Sequence, residues 1–227
     1  MEVTNVFEKM AHNLQNMFNQ APFDPSVFND PIATQTEWSR ACPGGANFRT
    51  FKLVQVNPDR IIFRTTIGAV IFALIFLVAG LGLIVLIIWD SSLTTFATES
   101  LFAVGLGLIF AVVGAYLLYR QMLPIVFDKL ENLFWKKRKP NSEMSLNDAS
   151  EDWVRLEFIH ALQIVAEFIS GKNSNYYSYE LNLVLKNGNR INVIDHGNRR
   201  KIDREAKVLS EFLKVPVWDA TIAQYSS

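Results

Sequence analysis

The sequence predicts a membrane α+β protein: a two-helix transmembrane hairpin inserted into one small domain of seven strands that ends in a helix. Three observations predict it. First, Ile67–Trp89 is an apolar run of about 23 residues, with no ionisable side chain between Arg64 and Asp90, and at ~1.5 Å per residue such a helix crosses the ~30 Å hydrocarbon layer. Leu101–Tyr119, at about 19 residues, is just long enough to cross back. Two buried core helices are the competing interpretation, which this length and absence of charge disfavour. Second, basic residues crowd the outer ends of the pair: Arg60 and Arg64 before it, Arg120, Lys129 and Lys136 to Lys139 after it. The connection 90–100 has no Lys or Arg, so the positive-inside rule puts both termini in the cytoplasm and the short loop outside. Third, period-two alternation flanks the hairpin on both sides and gives way to a helical stripe near the C-terminus.

The chain has 227 residues, and what the hairpin leaves suffices for one soluble domain of modest size. Twenty-two basic residues balance 22 acidic ones, so the electrostatic footprint of a nucleic-acid binder is absent. A single cysteine, Cys42, excludes an intramolecular disulfide and any multi-cysteine metal site. The N-terminus has no basic segment ahead of an apolar one, so no cleavable signal peptide is expected and the first span serves as the targeting signal.

In order along the chain, Val3, Val6, Phe7, Met10, Leu14, Met17 and Phe18 fall on one face of an amphipathic helix within residues 1–20. Lys9 is its only cation, which favours packing on protein over the membrane surface. Residues 21–50 carry Pro22, Pro25, Pro31, Pro43 and Gly44–Gly45, which break regular structure. They also carry Phe23, Phe28, Trp38 and Phe48, too many aromatics for a free linker, so this is an irregular but ordered segment. Strands are expected at Phe51–Val56 and Arg60–Thr65 around the Asn57-Pro-Asp59 turn, then at 124–128 and 132–136. Residues 137–152 read as a polar loop. Trp153–Phe168 fits either period, and its Ile, Val and Phe content tips it to one long strand. Tyr177–Leu185 and Arg190–Asp195 flank Asn187–Gly188, the strongest hairpin signal in the chain. Asn198 caps a helix over 199–213 whose stripe is Ile202, Ala206, Leu209 and Phe212–Leu213. The domain thus covers 51–66 and 120–219, split by the hairpin at 67–119, with a tail at 220–227.

Seven strands closed by a C-terminal helix is the pattern of the pleckstrin-homology-like (PH-like) fold. The segments Gly44–Thr50, Pro124–Asp128, Ser178–Leu185, Asp195-His-Gly197 and Val215–Asp219 resemble those of uncharacterised bacterial membrane proteins that join such a domain to a transmembrane hairpin. The resemblance implies a seven-stranded bent barrel with a C-terminal helix, in the bacterial inner membrane.

Candidates for chemistry are few. Asp195-His196-Gly197 invites a general-base reading, but neighbouring residues in a strand point to opposite faces, and a turn ending the last strand is the simpler account. His160 reads as a satisfied strand histidine, and with His12 and Cys42 it makes no metal site at ligand spacing. No cofactor is expected. Lys136, Lys137, Arg138 and Lys139 form one basic run, and Arg199, Arg200 and Lys201 a second at a helix start, where cations oppose the dipole. Each is a candidate contact for a partner or for anionic lipid headgroups, and otherwise a solvated face. Ala103, Gly107, Ala111 and Ala115 form a small-residue ridge for helix–helix packing, against the first span or a second copy of the chain. The expected function is non-enzymatic: an inner-membrane protein presenting a cytoplasmic module that scaffolds protein or binds anionic lipid. The alternative is an immunity or regulatory protein that neutralises a membrane-acting partner or toxin.

Overall fold

The computed structural model describes residues 23–42, 45, 47–89, 98–140, 150–170 and 175–221. The helix expected over 3–18, the outer connection 90–97, most of the loop after Pro140, the turn at 171–174 and residues 222–227 lie outside the described residues.

A five-stranded antiparallel sheet is built from both sides of the hairpin. Strands β1 (Phe51–Asn57) and β2 (Arg60–Thr65) pair around the Pro58 turn, and β3 (Ile125–Asp128), β4 (Leu133–Lys136) and β5 (Trp153–Arg155) complete the order β1-β2-β3-β4-β5. The β2–β3 register runs from Arg60↔Asp128 to Phe63↔Ile125, so the two strands that enter and leave the hairpin are hydrogen-bonded neighbours. The β3–β4 turn is tight because the Asp128 carboxylate accepts the N–H groups of Leu130 (2.9 Å) and Glu131 (3.2 Å) while pairing with Arg60.

The hairpin comprises α2 (Ile67–Trp89) and α3 (Thr98–Met122); the short α1 (Pro31–Gln35) precedes β1. Both are long and apolar enough to cross a membrane, and only 11% of each apolar window is buried within the protein. The core helix of a soluble protein is mostly buried, so this exposure favours the spanning interpretation. The two helices meet on small residues. Gly80 and Gly107 are buried against each other, and a Cβ on Gly80 would run into the backbone of Ala111. The hairpin base is tied at both ends: Gln121 Nε2 donates to the Ala69 carbonyl at 3.1 Å, and Thr65 Oγ1 donates to the Gln121 carbonyl.

A second sheet has the order β8-β7-β6-β9, from β6 (Ile159–Ser170), β7 (Asn175–Leu185), β8 (Arg190–His196) and β9 (Val217–Asp219). The β7–β8 turn places Gly188 at φ 80°, as an Asn-Gly turn demands. Helix α4 (Arg199–Leu213) starts where the Asn198 side chain accepts the Lys201 N–H at 3.2 Å and stops where Lys214 turns left-handed. The core lies between the sheets: Ile61, Phe63, Phe127, Phe134 and Val154 meet Leu162, Ile164, Leu181 and Leu183, with Ile202, Ala206 and Leu209 of α4. Each fully buried side chain of this size stabilises the fold by roughly 1.5–3 kcal/mol relative to exposure.

Three sequence expectations are corrected. The described residues form nine strands rather than seven, in two sheets, and no barrel is closed among them. Trp153–Phe168 is not one strand: a 3-10 turn at Leu156–Phe158 divides it into β5 and β6. Its apolar pattern continues because Leu156 and Phe158 still pack on the core, while the Leu156 N–H bonds to Asn132 and the Phe158 carbonyl accepts from Lys186, turning the chain from one sheet to the other. Val217–Asp219, where no strand is expected from the sequence, forms a parallel strand beside β6, with Leu162↔Val217 and Ile164↔Asp219 as the ends of its register.

Candidate functional site

Two polar regions flank the second sheet. The first is a strap formed by residues 23–42, laid across the face that points away from the core. Along β7 the residues Leu181, Leu183 and Leu185 face the core, so Glu180 and Asn182 face outward, yet both are fully buried because the strap covers them. The Glu180 carboxylate accepts the N–H of Ala41 (2.8 Å) and Cys42 (3.0 Å). Gln163 donates to the Glu37 carbonyl at 2.9 Å, and Arg190 reaches Glu37, Ser39 and Gln163. Beside this network the rings of Phe28, Trp38 and Trp218 pack over Ala33, Ala161 and Val184. His160 belongs here too: its Nε2 lies 2.7 Å from Asp30, the residue whose carboxylate caps α1. Burial pushes the Asp30 carboxyl up, and the hydrogen bonds from His160 and Ile32 outweigh it and leave it below the ordinary range.

The second region is a cavity of about 490 Å³ at the hairpin end of the domain. One wall is the outer edge strand β8, from Arg190 to Asp195; the other is made of Arg120, Leu123 and Pro124 at the end of α3 with Ile125, Lys136 and Lys137. Ala41, Cys42 and the acids Glu151 and Asp152 complete the rim. Register explains the arrangement: Ile125 pairs with Lys136, so the last residue of β4 stands beside the first residue after the hairpin. The half-buried Lys136 ammonium donates to the Asn192 carbonyl on the β8 edge at 2.7 Å. Burial lowers its pKa, and no carboxylate among the described residues comes within ion-pair distance of it. Burial likewise pushes the Cys42 thiol up, assisted by the nearby Glu180 charge, so it is not an activated nucleophile.

The residues singled out from sequence scatter between roles. Lys137 pairs with Asp152, and Lys139 pairs with Glu131 and lies over the Trp135 ring. Arg138 is exposed. In the second cluster Arg199 is held between Asp203 and Asp219, while Arg200 and Lys201 are exposed. The start of α4 is tethered toward the hairpin, since the Gly197 N–H donates to Asn47 and the adjacent Phe48 ring packs on Phe72 of α2. Of the small-residue ridge, Gly107 is buried and Ala103 and Ala111 are half-buried, whereas Ala115 is exposed. The contact passes instead to Gly114, whose added Cβ would meet Leu77, because α3 presents position 114 rather than 115 one turn past Phe110.

His196 and Asp195 point apart, as strand alternation requires: Asp195 lines the cavity and His196 is buried at 1% exposure on the other side. His196 Nδ1 accepts the Asn198 N–H at 3.1 Å, and its Nε2 lies 3.6 Å from Glu205. Glu205, on α4, also pairs with Arg49 and accepts the Leu53 N–H at 2.9 Å. Burial raises the Glu205 carboxyl, but His196, the Leu53 N–H and Arg49 together hold it below the ordinary range. This cluster closes the gap between β1 and β8 and is structural.

Sequence reasoning missed Glu180, Gln163 and Glu205. The signal for the first two was present, since an acid and an amide lie on the polar side of strands in a chain whose earlier, aromatic-rich segment is able to cover them. Compared with known proteins, the chain matches no family model, no curated protein and no solved structure.

Proposed function

We propose that the chain is a non-enzymatic inner-membrane protein whose hairpin holds a cytoplasmic PH-like interaction module against the bilayer, where the module engages protein or anionic lipid. One observation carries the reading: the hairpin is spliced between β2 and β3, hydrogen-bonded neighbours in one sheet, through connections only a few residues long. A tethered anchor needs one flexible linker; a domain joined twice through paired strands has its orientation to the membrane set by the sheet. The helix that follows β8 and joins the core shared by the two sheets supports the PH-like assignment. The basic residues Arg64, Arg120, Arg138, Arg200 and Lys201, all exposed, support a cytoplasmic module on the positive-inside rule.

The experiment uses the full chain in proteoliposomes with spin labels at single cysteines, after Cys42→Ser. Arg138 lies just beyond the hairpin-end residue Lys136, and Leu130 sits in the turn at the other end of β4. Relaxation by a headgroup-anchored paramagnet is expected to be several-fold stronger at Arg138 than at Leu130. Equal relaxation at both sites overturns the fixed orientation. Cysteines at Ser92 and Ser142 are expected to label from opposite sides of the membrane, with Ser142 on the cytoplasmic side; the reverse pattern overturns the topology.

A further inference from the structure

We propose that the cavity at the hairpin end receives the phosphate-bearing headgroup of an anionic phospholipid, held by Lys136 and Arg120. The inference rests on the membrane-bound reading above and adds a ligand to it. Position comes first: Arg120 is in the last turn of α3 and Leu123 and Pro124 follow it directly, so this wall begins where the apolar helix ends, the level at which headgroups lie. The opposite wall is β8, and the space between is large enough for a glycerophosphate group, within the ~300–1,000 Å³ of small-molecule sites.

The charges sort in the same direction. Four cations line the cavity, but Lys137 is engaged by Asp152, and Arg190 is turned to Glu37 and the strap. Arg120 has only the Tyr116 hydroxyl, at 3.3 Å, and Lys136 only the Asn192 carbonyl, among the described contacts. An ammonium has three donors, and the described residues accept one from Lys136, which leaves two for an oxyanion. Among the described residues Asp152 and Asp195 act on Lys136 only from beyond ion-pair distance, so this half-buried cation is costly to keep charged, and a phosphate oxygen beside it removes that cost. Three acids, Glu151, Asp152 and Asp195, share the rim, and Asp152 is engaged by Lys137. They select against a doubly charged free phosphate more strongly than against a singly charged phosphodiester.

The test is lipid retention by the full chain, released from nanodiscs of mixed phosphatidylglycerol and phosphatidylcholine and weighed by native mass spectrometry. The wild type is expected to retain phosphatidylglycerol in preference to phosphatidylcholine. Lys136→Gln is expected to reduce that preference about tenfold, the range for a hydrogen bond to a charged group. Arg120→Gln, at an exposed position with little risk to folding, is expected to reduce it severalfold, while Lys139→Gln leaves it unchanged. Retention indifferent to both Lys136→Gln and Arg120→Gln overturns the proposal, and so does an equal loss in Lys139→Gln. Glycerol 3-phosphate binding in phosphatidylcholine-only discs, with the same Lys136 dependence but no phosphatidylglycerol preference, overturns the lipid as the source of the phosphate. If the relaxation gradient between Arg138 and Leu130 is intact while retention is charge-independent, only the cavity assignment falls.

Discussion

The two seams between the sheets are built from different materials. At one, the backbone itself makes the corner: β5 passes through the Leu156–Phe158 turn into β6, and hydrogen bonds from Leu156 to Asn132 and from Lys186 to Phe158 fix the bend. At the other, β1 and β8 do not pair. Helix α4 fills the gap, and its Glu205 gathers Arg49, His196 and the Leu53 N–H where an edge strand would otherwise leave donors unmet. Toward the hairpin end, the edge of β8 faces the cavity and is met by one ammonium, that of Lys136. The difference teaches where the domain is vulnerable. A seam closed by backbone bonds tolerates changes of side chain, whereas a seam closed by buried charge depends on each partner and on protonation.

The largest effect is expected at Glu205. Glu205→Ala leaves Arg49 and His196 facing a buried void and should cost about 3–5 kcal/mol in denaturant unfolding followed by tryptophan fluorescence. Replacing Glu205 and Arg49 together by methionine should recover much of that loss; no recovery would mean the helix position, rather than the charge, closes the seam. At the backbone-built corner, Leu156→Ala removes a half-buried side chain and should cost roughly 1–2 kcal/mol, below the fully buried range. A cost equal to that of Glu205→Ala would erase the contrast.

Acid provides the third comparison. Glu205 holds its proton less tightly in the folded chain than in the unfolded one, so the unfolded chain binds more protons as the pH falls. Its contribution is therefore complete above the ordinary carboxylate range and is lost as the pH drops through that range and below. Unfolding free energies measured from neutral pH downward should decline less steeply in Glu205→Gln than in the wild type. Parallel declines would place the acid sensitivity at Asp128 or Asp30, whose carboxyls are also lowered. The smallest change is expected for Lys136→Met, below about 1 kcal/mol, since a lost hydrogen bond is offset by the relief of burying a charge.

These seams also mark what a sequence reader can and cannot see. The hairpins at Pro58 and Gly188, the two apolar helices and the Asn198-capped helix α4 were legible, because each is specified by local periodicity and by a turn or cap residue. The bend at Leu156–Phe158 was not: those residues still meet the core, so the hydrophobic pattern runs through a corner set by contacts with Asn132 and Lys186 far away in sequence. Strand β9 escaped for a related reason, since three residues become a strand only because β6 lies beside them. Lys136 read as one of four equivalent cations in a basic run, whereas the β4 register places its ammonium alone at the β8 edge. Glu180 and Asn182 alternate with the core leucines of β7, and only the path of the strap buries them.

The splice between β2 and β3 also sets an order of events. As the chain leaves the ribosome, β1 and β2 are complete before either apolar helix exists, and the edge of β2 that belongs to β3 stays unmet. At ~5–20 residues per second, synthesis of the hairpin occupies on the order of several seconds. During that interval Ile61 and Phe63 are exposed on a strand with one free edge, and β3 can reach them only after α2 and α3 have both been made and folded back on each other. Folding of the helical hairpin and assembly of the five-stranded sheet are thus one coupled step, and a delay in the first leaves an aggregation-prone β-hairpin waiting in the second.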